Sequence, residues 1–311
     1  MRMVGSLFIS NKEEVVKSIL PTTLLLLSVL MMSSVSQAQD IIPIPDGPYL
    51  GQTPPGSAPE PFAPGIVTTT GWEYGAVFTP DMKEFYFLRN NAETDKHELV
   101  VFQNKNNQWH QAGVSPRQGQ PIIAPDGKTM HLGRRYKERT EAGWSDRKSL
   151  GAPFEDIFIM RLSASSKGTY FFDEVVEDGE GGYDDAPIQS SQLVDGKYDD
   201  PKPLSKEINS GKQNSHPFIA PDESYLIWDS QRDEGYGDAD IYISFKSQDG
   251  SWGKAINMGD KINTDAWDAA ASVTPDGKYL FFNRNVGSDE YDNVDIFWVD
   301  AQIIEDLRPK K

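Results

Sequence analysis

One repeated stretch decides the fold of this chain, and its clearest copy reads Ala271-Ser272-Val273-Thr274-Pro275-Asp276-Gly277-Lys278-Tyr279-Leu280-Phe281-Phe282. An apolar segment leads into a Pro-Asp-Gly turn, and a second segment rich in aromatic residues follows. Proline fixes φ where the turn begins, aspartate accepts hydrogen bonds from its own backbone, and glycine adopts positive φ without strain. Because β-branched and aromatic residues favour strands, the stretch predicts a β-hairpin.

The stretch recurs in four further copies, one of them degenerate. The copies are Ala76–Phe87, Pro121–Gly127, Ser165-Ser166 followed by Tyr170–Phe172, and Pro217–Trp228. The second turn position falls at Asp81, Asp126, Ser166, Asp222 and Asp276. The spacing between successive positions is typical of four-stranded propeller blades, which repeat every roughly 40–50 residues plus insertions. The sequence therefore predicts an all-β fold, a single β-propeller of five four-stranded blades, with six blades as the alternative if the long insertions hide another.

The fifth blade lacks a fourth strand after residues 295–299, and the missing strand is expected near the start of the propeller. Residues 61–67 resemble residues 203–209, the outer strand before the fourth copy. Ile66 precedes Pro80 by almost the same spacing as Ile208 precedes Pro221. We therefore expect the N-terminal strand to close the last blade, which leaves fewer open strand edges.

These repeats resemble the WD-like propeller repeats of the TolB type, in which an apolar strand precedes Ser/Ala/Thr-Pro-Asp-Gly and then Lys-Tyr-Leu-aromatic-Phe. The connector at residues 251–264 is similar to that of exported bacterial members. The resemblance covers roughly residues 60–305 and implies a β-propeller. It implies no particular reaction, because one fold hosts many functions and propellers serve as binding scaffolds, lyases, glycosidases and peptidase lids.

Residues 1–38 have the pattern of a signal peptide. Lys12 and Lys17 precede an apolar run over residues 19–35, and Ser36-Gln37-Ala38 has small residues where a signal peptidase cleaves. The run is shorter than the roughly 20 residues that a membrane span needs. We therefore expect cleavage near Ala38 rather than an uncleaved anchor, a periplasmic or secreted protein, and no stable membrane insertion.

The remaining chain is expected to divide into three parts. Residues 39–59 contain six prolines and three glycines, which predicts an extended linker. Residues 60–305 form the propeller, and residues 306–311 form a basic tail.

Composition excludes several classes of function. The formal net charge is −17. Because such an acidic surface repels phosphate groups, no nucleic-acid partner is expected. The chain has no cysteine, which excludes disulfides, thiolate metal sites and cysteine nucleophiles.

A functional site is expected at one mouth of the central channel, where loops that leave the second strands meet loops that enter the first strands. The candidate ligand-binding residues are Glu73, Arg89, Arg134, Arg135, His216, Arg232, Trp267, Asp268 and Arg284. The arginines predict a pocket for an anionic ligand, because guanidinium groups bind carboxylate or sulfate in forked pairs. The alternative is that each arginine pairs with a nearby acid and ties the structure together.

Two further predictions concern chemistry. His216 is the candidate catalytic residue if the protein is an enzyme, because it directly precedes an inner strand and imidazole transfers protons near neutral pH. A hydrogen-bonded histidine at the rim is the alternative. The acidic loops at residues 173–185 and 233–240 have the oxygen-rich composition that Ca²⁺ prefers. Calcium is thus the one cofactor considered, with Asp238 and Asp240 as its candidate ligands, and solvated loops are the alternative.

Two functions remain open at this point. The first is a binding scaffold for a protein or an anionic glycan, because the repeats come without a catalytic signature. The second is a lyase or hydrolase that acts on an anionic polysaccharide at the arginine-lined mouth. Convergence of the arginines in one pocket would favour the second function, and arginines paired within their own blades would count against it.

Overall fold

The computed structural model describes residues 44–177, 183–184 and 186–310. Within them the chain forms an all-β propeller of five blades around a central channel, and each blade contains four main antiparallel strands. The prediction of five blades is confirmed. The expected signal peptide, residues 1–38, and residues 39–43 of the expected linker lie outside the described residues. No helix of the described part is long and apolar enough to cross a membrane.

The inner strand of each blade begins at one end of the ring and runs to the turn of the repeat at the other end. Blade 1 consists of Glu73–Phe78, Glu84–Asn91, Lys96–Lys105 and Gln108–Pro116. Blade 2 consists of Pro121–Ile123, Thr129–Leu132, Arg135–Thr140 and Lys148–Ser149, and Gly143–Trp144 also pairs with its third strand. Blade 3 consists of Ile159–Ala164, Tyr170–Glu174, Gln189–Ser191 and Lys202–Pro203.

The last two blades follow the same order. Blade 4 consists of Lys212–Ile219, Tyr225–Gln231, Asp240–Phe245 and Ile256–Asn257. Blade 5 consists of Asp268–Val273, Tyr279–Asn285, Val294–Asp300 and, outermost, Glu60–Pro61. The smaller elements are the hairpins Val176–Glu177 with Tyr183–Asp184 and Leu193–Val194 with Lys197–Tyr198, the 3₁₀ helix Tyr49–Gly51 and the α-helix Gln302–Asp306.

The ring closes through an N-terminal strand, as expected. Glu60–Pro61 pairs antiparallel with Val294–Asp300, and the Phe62 backbone N–H extends the pairing to the Ile296 carbonyl at 2.8 Å. The strand is shorter than the predicted 61–67, because the chain turns after Phe62 and the Val67 N–H donates to the Ala63 carbonyl. Phe62 itself is fully buried, so the closure is held by packing as well as by the ladder.

Side-chain oxygens in three second strands bind the backbone of the following blade. The acceptors are Asp173, Asp229 and Asn283, and they bind the N–H groups of His216, Ala270 and Gly75 at 2.8, 2.8 and 3.1 Å. The three donors have φ values of 53°, 52° and 71° and lie where the inner strands shift register. Such bulges remove an N–H from the ladder. These bonds connect blades 3 to 4, 4 to 5 and 5 to 1.

The aromatic residues that follow the outer turns pack in two different ways. Trp144 of blade 2 donates its indole N–H to the Tyr86 hydroxyl of blade 1 at 2.8 Å, and Trp252 of blade 4 contacts Phe171 of blade 3. Tyr198 instead stacks on Tyr170 of its own blade, with ring centres 4.1 Å apart.

Residues 47–50 of the expected linker are part of the packed structure. Tyr49 and Leu50 are 5% and 1% exposed, and the Tyr49 hydroxyl donates to Asp276 in the turn of blade 5. The Trp109 indole N–H donates to the Gly47 carbonyl at 2.8 Å. Two apolar side chains thus anchor a segment whose proline and glycine content alone suggested a linker.

The chain end also packs on the propeller. The Arg308 guanidinium lies 4.4 Å from the ring centre of Phe245 and donates to the Glu305 carboxylate at 2.7 Å. The first part of the basic tail therefore covers an aromatic side chain of blade 4.

Candidate functional site

Aromatic rings lie in a row at the end of the channel where the inner strands begin. Trp72 stacks on Tyr74 with ring centres 5.2 Å apart, and Tyr74 stacks on Trp267 at 6.1 Å. We call this end the aromatic mouth. Tyr291 contacts Trp267 edge-on at 5.7 Å, and the Arg117 guanidinium lies 5.9 Å from the Trp72 ring centre.

The two tryptophans occupy equivalent places in blades 1 and 5. Each lies between a threonine and an acid, in Thr69-Thr70-Gly71-Trp72-Glu73 and Thr264-Asp265-Ala266-Trp267-Asp268. Glu73 accepts the Thr69 hydroxyl at 2.6 Å, and Asp268 accepts the Thr264 hydroxyl at 2.8 Å. Each tryptophan carbonyl also accepts a backbone N–H from its own second strand. The loops that carry both rings are therefore fixed at both ends.

A buried histidine and carboxylate lie against these rings. His216 Nδ1 is 2.9 and 3.0 Å from the two oxygens of Asp229, and its ring centre is 6.0 Å from Tyr74 and 6.5 Å from Trp267. The Asp229 carboxylate accepts a hydrogen bond from Nδ1–H, so the neutral ring presents Nε2 as a hydrogen-bond acceptor. Because His216 is 6% exposed and Asp229 is 2% exposed, the pair lies beneath the rings rather than at the surface.

Arg161 crosses the channel below the aromatic mouth. Its Nη2 donates to the Ala271 carbonyl of blade 5 at 3.0 Å, although the residue belongs to blade 3. Its backbone N–H donates to Asp173 Oδ1 at 2.7 Å, and the side chain is 3% exposed. The guanidinium thus bridges blades 3 and 5 across the channel at this level.

Burial dominates the electrostatics of this region. It raises the pKa of Asp173 and of the Tyr74 phenol, and it lowers the pKa of the Arg161 guanidinium. The His216 ring and two backbone N–H groups partly counter the effect on the Asp173 pKa. Burial also raises the pKa of Glu73 and Asp268. The charges and hydrogen bonds of these buried groups therefore compensate one another. The network that they form holds the rings of the aromatic mouth in position.

Four of the five predicted arginines form side-chain hydrogen bonds within the protein. Their partners are Glu98 for Arg89, the Glu155 carbonyl for Arg134, the Ser210 hydroxyl and Ile208 carbonyl for Arg232, and Asp268 for Arg284, at distances from 2.6 to 3.2 Å. Arg135 begins the third strand of blade 2. Arg89 and Arg284 pair with acids as the alternative expected, whereas Arg134 and Arg232 bind carbonyl and hydroxyl groups. An anion-binding role for these arginines stays a prediction.

The predicted residues fall into small groups rather than one pocket. Trp267 and His216 meet at the aromatic mouth, where Asp268 binds Arg284 beside them. Glu73 faces Arg89 across the ladder of blade 1. Arg232 lines a separate polar cavity of about 580 Å³, together with Lys212 and Asp238.

The calcium prediction stays a prediction. Asp240 is 1% exposed and accepts the Tyr236 and Gly237 N–H groups and the Asn257 amide, so its oxygens organise its own loop. Asp238 is exposed. Within the described ranges, no group of three or more acids and histidines is placed to hold a metal ion. Of the other acidic loop, residues 178–182 and 185 lie outside the described residues.

Sequence reasoning missed Trp72, Arg117, Arg161 and the two aspartates of the network. The repeated Thr-x-x-Trp-acid pattern would have identified Trp72 as the counterpart of Trp267. Asp173, Asp229 and Asn283 share a second signal, since each lies seven residues after its turn position. No comparable pattern marks Arg117 or Arg161.

Comparisons with known proteins show similarity of fold only. No protein-family model matches the chain, and no curated protein sequence matches it. Among solved structures, TolB from Acinetobacter baumannii is 13% identical over 74% of this chain and 57% of that chain, with a TM-score of 0.44. An α-L-arabinofuranosidase from Lactobacillus brevis is 12% identical over 75% and 91%, with a TM-score of 0.45. A gluconolactonase from Xanthomonas campestris is 10% identical over 82% and 97%, with a TM-score of 0.42. This chain therefore spans little more than half of the TolB chain, and these similarities assign no activity to it.

Proposed function

We propose that this protein is an exported binding scaffold that receives a protein partner at the aromatic mouth. The proposal rests on one observation, the row of contacting rings formed by Trp72, Tyr74, Trp267 and Tyr291, with Arg117 at one end. Tryptophan, tyrosine and arginine are the residue types that contribute most binding energy in protein interfaces. Their concentration at one mouth favours a protein partner.

The rings are held in place before any partner arrives. The Trp72 and Trp267 carbonyls accept the Asn90 and Asn285 N–H groups at 2.8 and 2.9 Å. Tyr74 is 4% exposed and is packed between both indoles. Binding to a preorganised surface immobilises few side chains, which lowers the entropic cost of association.

Charge narrows the choice of partner. The phenol of Tyr291, which is 40% exposed, has a raised pKa because of burial and because Asp238 and Asp289 lie near it. Tyr236, which is 49% exposed, lies on the loop of Asp238, and Val286, which is 42% exposed, lies on the loop of Asp289 and Tyr291. An aromatic surface flanked by carboxylates favours a positively charged partner surface. It disfavours the anionic glycan that the sequence left open.

The location belongs to the same proposal. The pattern in residues 1–38 supports export and cleavage near Ala38, which would place the scaffold in the periplasm or outside the cell. The net charge of −17 suits a well-solvated exported protein.

Site-specific photocrosslinking in the producing cell tests the proposal. A photoreactive phenylalanine analogue is placed at Tyr291 and, as a matched control, at Val114, which is 41% exposed on the outer strand of blade 1. We expect a discrete protein adduct from position 291 that position 114 does not give. A second substitution, Trp267→Ala, should weaken that adduct. The proposal is wrong if both positions give the same adducts or if neither gives one.

The His216–Asp229 pair supports a second candidate function. A histidine whose Nδ1 is held by a carboxylate has the arrangement of a general base, so we keep a lyase or hydrolase acting on an anionic polysaccharide as the alternative. The test is incubation of the mature chain with uronate and sulfated glycans, followed by chain-length analysis. Cleavage that a His216→Ala variant loses would establish this alternative.

A further inference from the structure

The opposite end of the channel contains a second cavity, of about 330 Å³. We call this end the proline mouth, because Pro80, Pro125, Pro221 and Pro275 of four blades surround it, with Ser166 in the corresponding place of blade 3. The inner strands separate it from the aromatic mouth, so a ligand bound here is independent of the proposed function.

The walls of this cavity are mainly apolar. Its lining includes Ile122, Ile123, Phe218, Ile219 and Val273, which come from the inner strands of blades 2, 4 and 5. A narrower space of about 50 Å³ shares several of these residues and continues between Ala76, Phe78 and Phe281. The two spaces together form a tapering apolar pocket along the channel.

Three hydroxyl groups of the walls are already engaged by the protein. Ser163 Oγ accepts the Ile219 N–H at 3.2 Å, and Ser272 Oγ donates to the Ala76 carbonyl at 3.2 Å. Thr274 Oγ1 donates to Asp276 at 2.6 Å. An occupant therefore finds few polar partners inside, which disfavours water and favours hydrocarbon.

Arg161 lies on the inner strand of blade 3, two residues before Ser163, which lines the pocket. Its side chain spans from blade 3 to the Ala271 carbonyl, one residue before Ser272, which lines the narrow space. The outer end carries exposed turn residues of both charges, among them Lys167, Asp222 and Lys278. The pocket is thus mainly apolar within, and it is polar at its rim.

We propose that the proline mouth binds the alkyl chain of a small amphiphile, whose polar end stays at the charged rim. The volume of about 330 Å³ lies at the lower end of the range for ligand pockets, so the alkyl chain is short. Burial of its methylene groups stabilises the complex, and the rim residues solvate the polar end.

Titration of the mature chain with 1-octanol tests the proposal. Isoleucine and valine methyl groups are labelled for NMR, and the heat of binding is measured at several temperatures. We expect saturable shifts of the Ile123, Ile219 and Val273 methyl groups, no shift of Ile296 in the distant core, and a negative heat-capacity change. Hexane-1,6-diol, which is polar at both ends, should bind at least about tenfold more weakly. Absence of saturable shifts up to the solubility of octanol would overturn the proposal, as would shifts spread over all methyl groups.

A filled pocket provides the matched control. Val273→Trp places an indole against both spaces, and Val114→Trp adds the same ring on the exposed outer strand of blade 1. We expect Val273→Trp to weaken octanol binding at least about tenfold and Val114→Trp to leave it unchanged. If Val273→Trp does not fold, Ala164→Leu, which also narrows the larger space, takes its place. Equal octanol affinity in the filled variant and in the control would refute the assignment to this pocket.

Discussion

A substitution at Phe62 measures how much the ring closure contributes to the stability of the propeller. The ring of Phe62 is fully buried, and it meets Phe85 of blade 1 at 5.2 Å and Phe281 and Trp298 of blade 5 at 4.9 and 5.1 Å. Burial of such a side chain stabilises by about 1.5–3 kcal/mol, and the cavity left on truncation adds to the loss. Phe62→Ala should therefore reduce the free energy of unfolding by about 3–5 kcal/mol.

The assay is urea unfolding of the mature chain, followed by tryptophan fluorescence. Phe158→Ala is the matched control, since Phe158 is 57% exposed and its truncation should change stability by less than about 0.5 kcal/mol. Should Phe62→Ala fail to fold, Phe62→Leu gives a smaller loss of the same origin. A loss below about 1 kcal/mol for Phe62→Ala would refute the reasoning, because the closing segment would then not hold blades 1 and 5 together.

Three further predictions concern the seams and one titrating group. Asn283→Ala leaves the partly buried Gly75 N–H without its acceptor and should reduce stability by about 1–3 kcal/mol, measured by urea unfolding. Gly133→Ala should destabilise by more than about 1 kcal/mol, because φ is +66° and a Cβ would lie 2.2 Å from the Ile159 carbonyl oxygen; a thermal melt unchanged from wild type would contradict it. Burial raises the pKa of Asp295 from 3.8 to about 6, so its ionisation destabilises the folded state as pH rises from about 4 to about 6. Asp295→Asn should hence be nearly neutral at pH 4 and, after allowance for partial solvent exposure, stabilise by roughly 1 kcal/mol at pH 7.5. An equal effect of this substitution at both pH values would show that Asp295 does not titrate in this way.

The propeller follows from the sequence because its main determinant is local. The Pro-Asp turn occurs in four of the five copies, strand-forming residues flank the turn in every copy, and the number of copies predicts the number of blades. The closing strand followed from the likeness of residues 61–67 to another outer strand. Its length did not, because the turn after Phe62 depends on Ala63 adopting a φ of 45°. The packing of Tyr49 and Leu50 was also hidden, since their partners lie far away in the sequence.

The site was harder to predict because a shift of one residue along a strand moves a side chain to the opposite face of the sheet. Arg89, Arg134 and Arg284 lie eight residues after their turn positions, whereas Asp229 and Asn283 lie seven residues after theirs. Successive side chains point to opposite faces. The aspartate and the asparagine reach the neighbouring blade, and the arginines turn to partners in their own loops and strands. The polar groups that organise the aromatic mouth are therefore mostly different from the predicted ones, and the location of a functional site on these loops stays a prediction.

The buried network explains how one channel has two unlike ends. The bulges at Gly75, His216 and Ala270 turn backbone N–H groups toward the preceding blade, and Arg161 spans the space just below them. Above this level the strands begin with tryptophan loops, and below it their side chains are mainly isoleucine, valine and phenylalanine. A ligand that passed from one mouth to the other would therefore meet the buried Arg161 side chain, whose hydrogen bond to the Ala271 carbonyl is expensive to leave unmade. A protein partner at the aromatic mouth and an amphiphile at the proline mouth would accordingly occupy separate sites on one rigid ring.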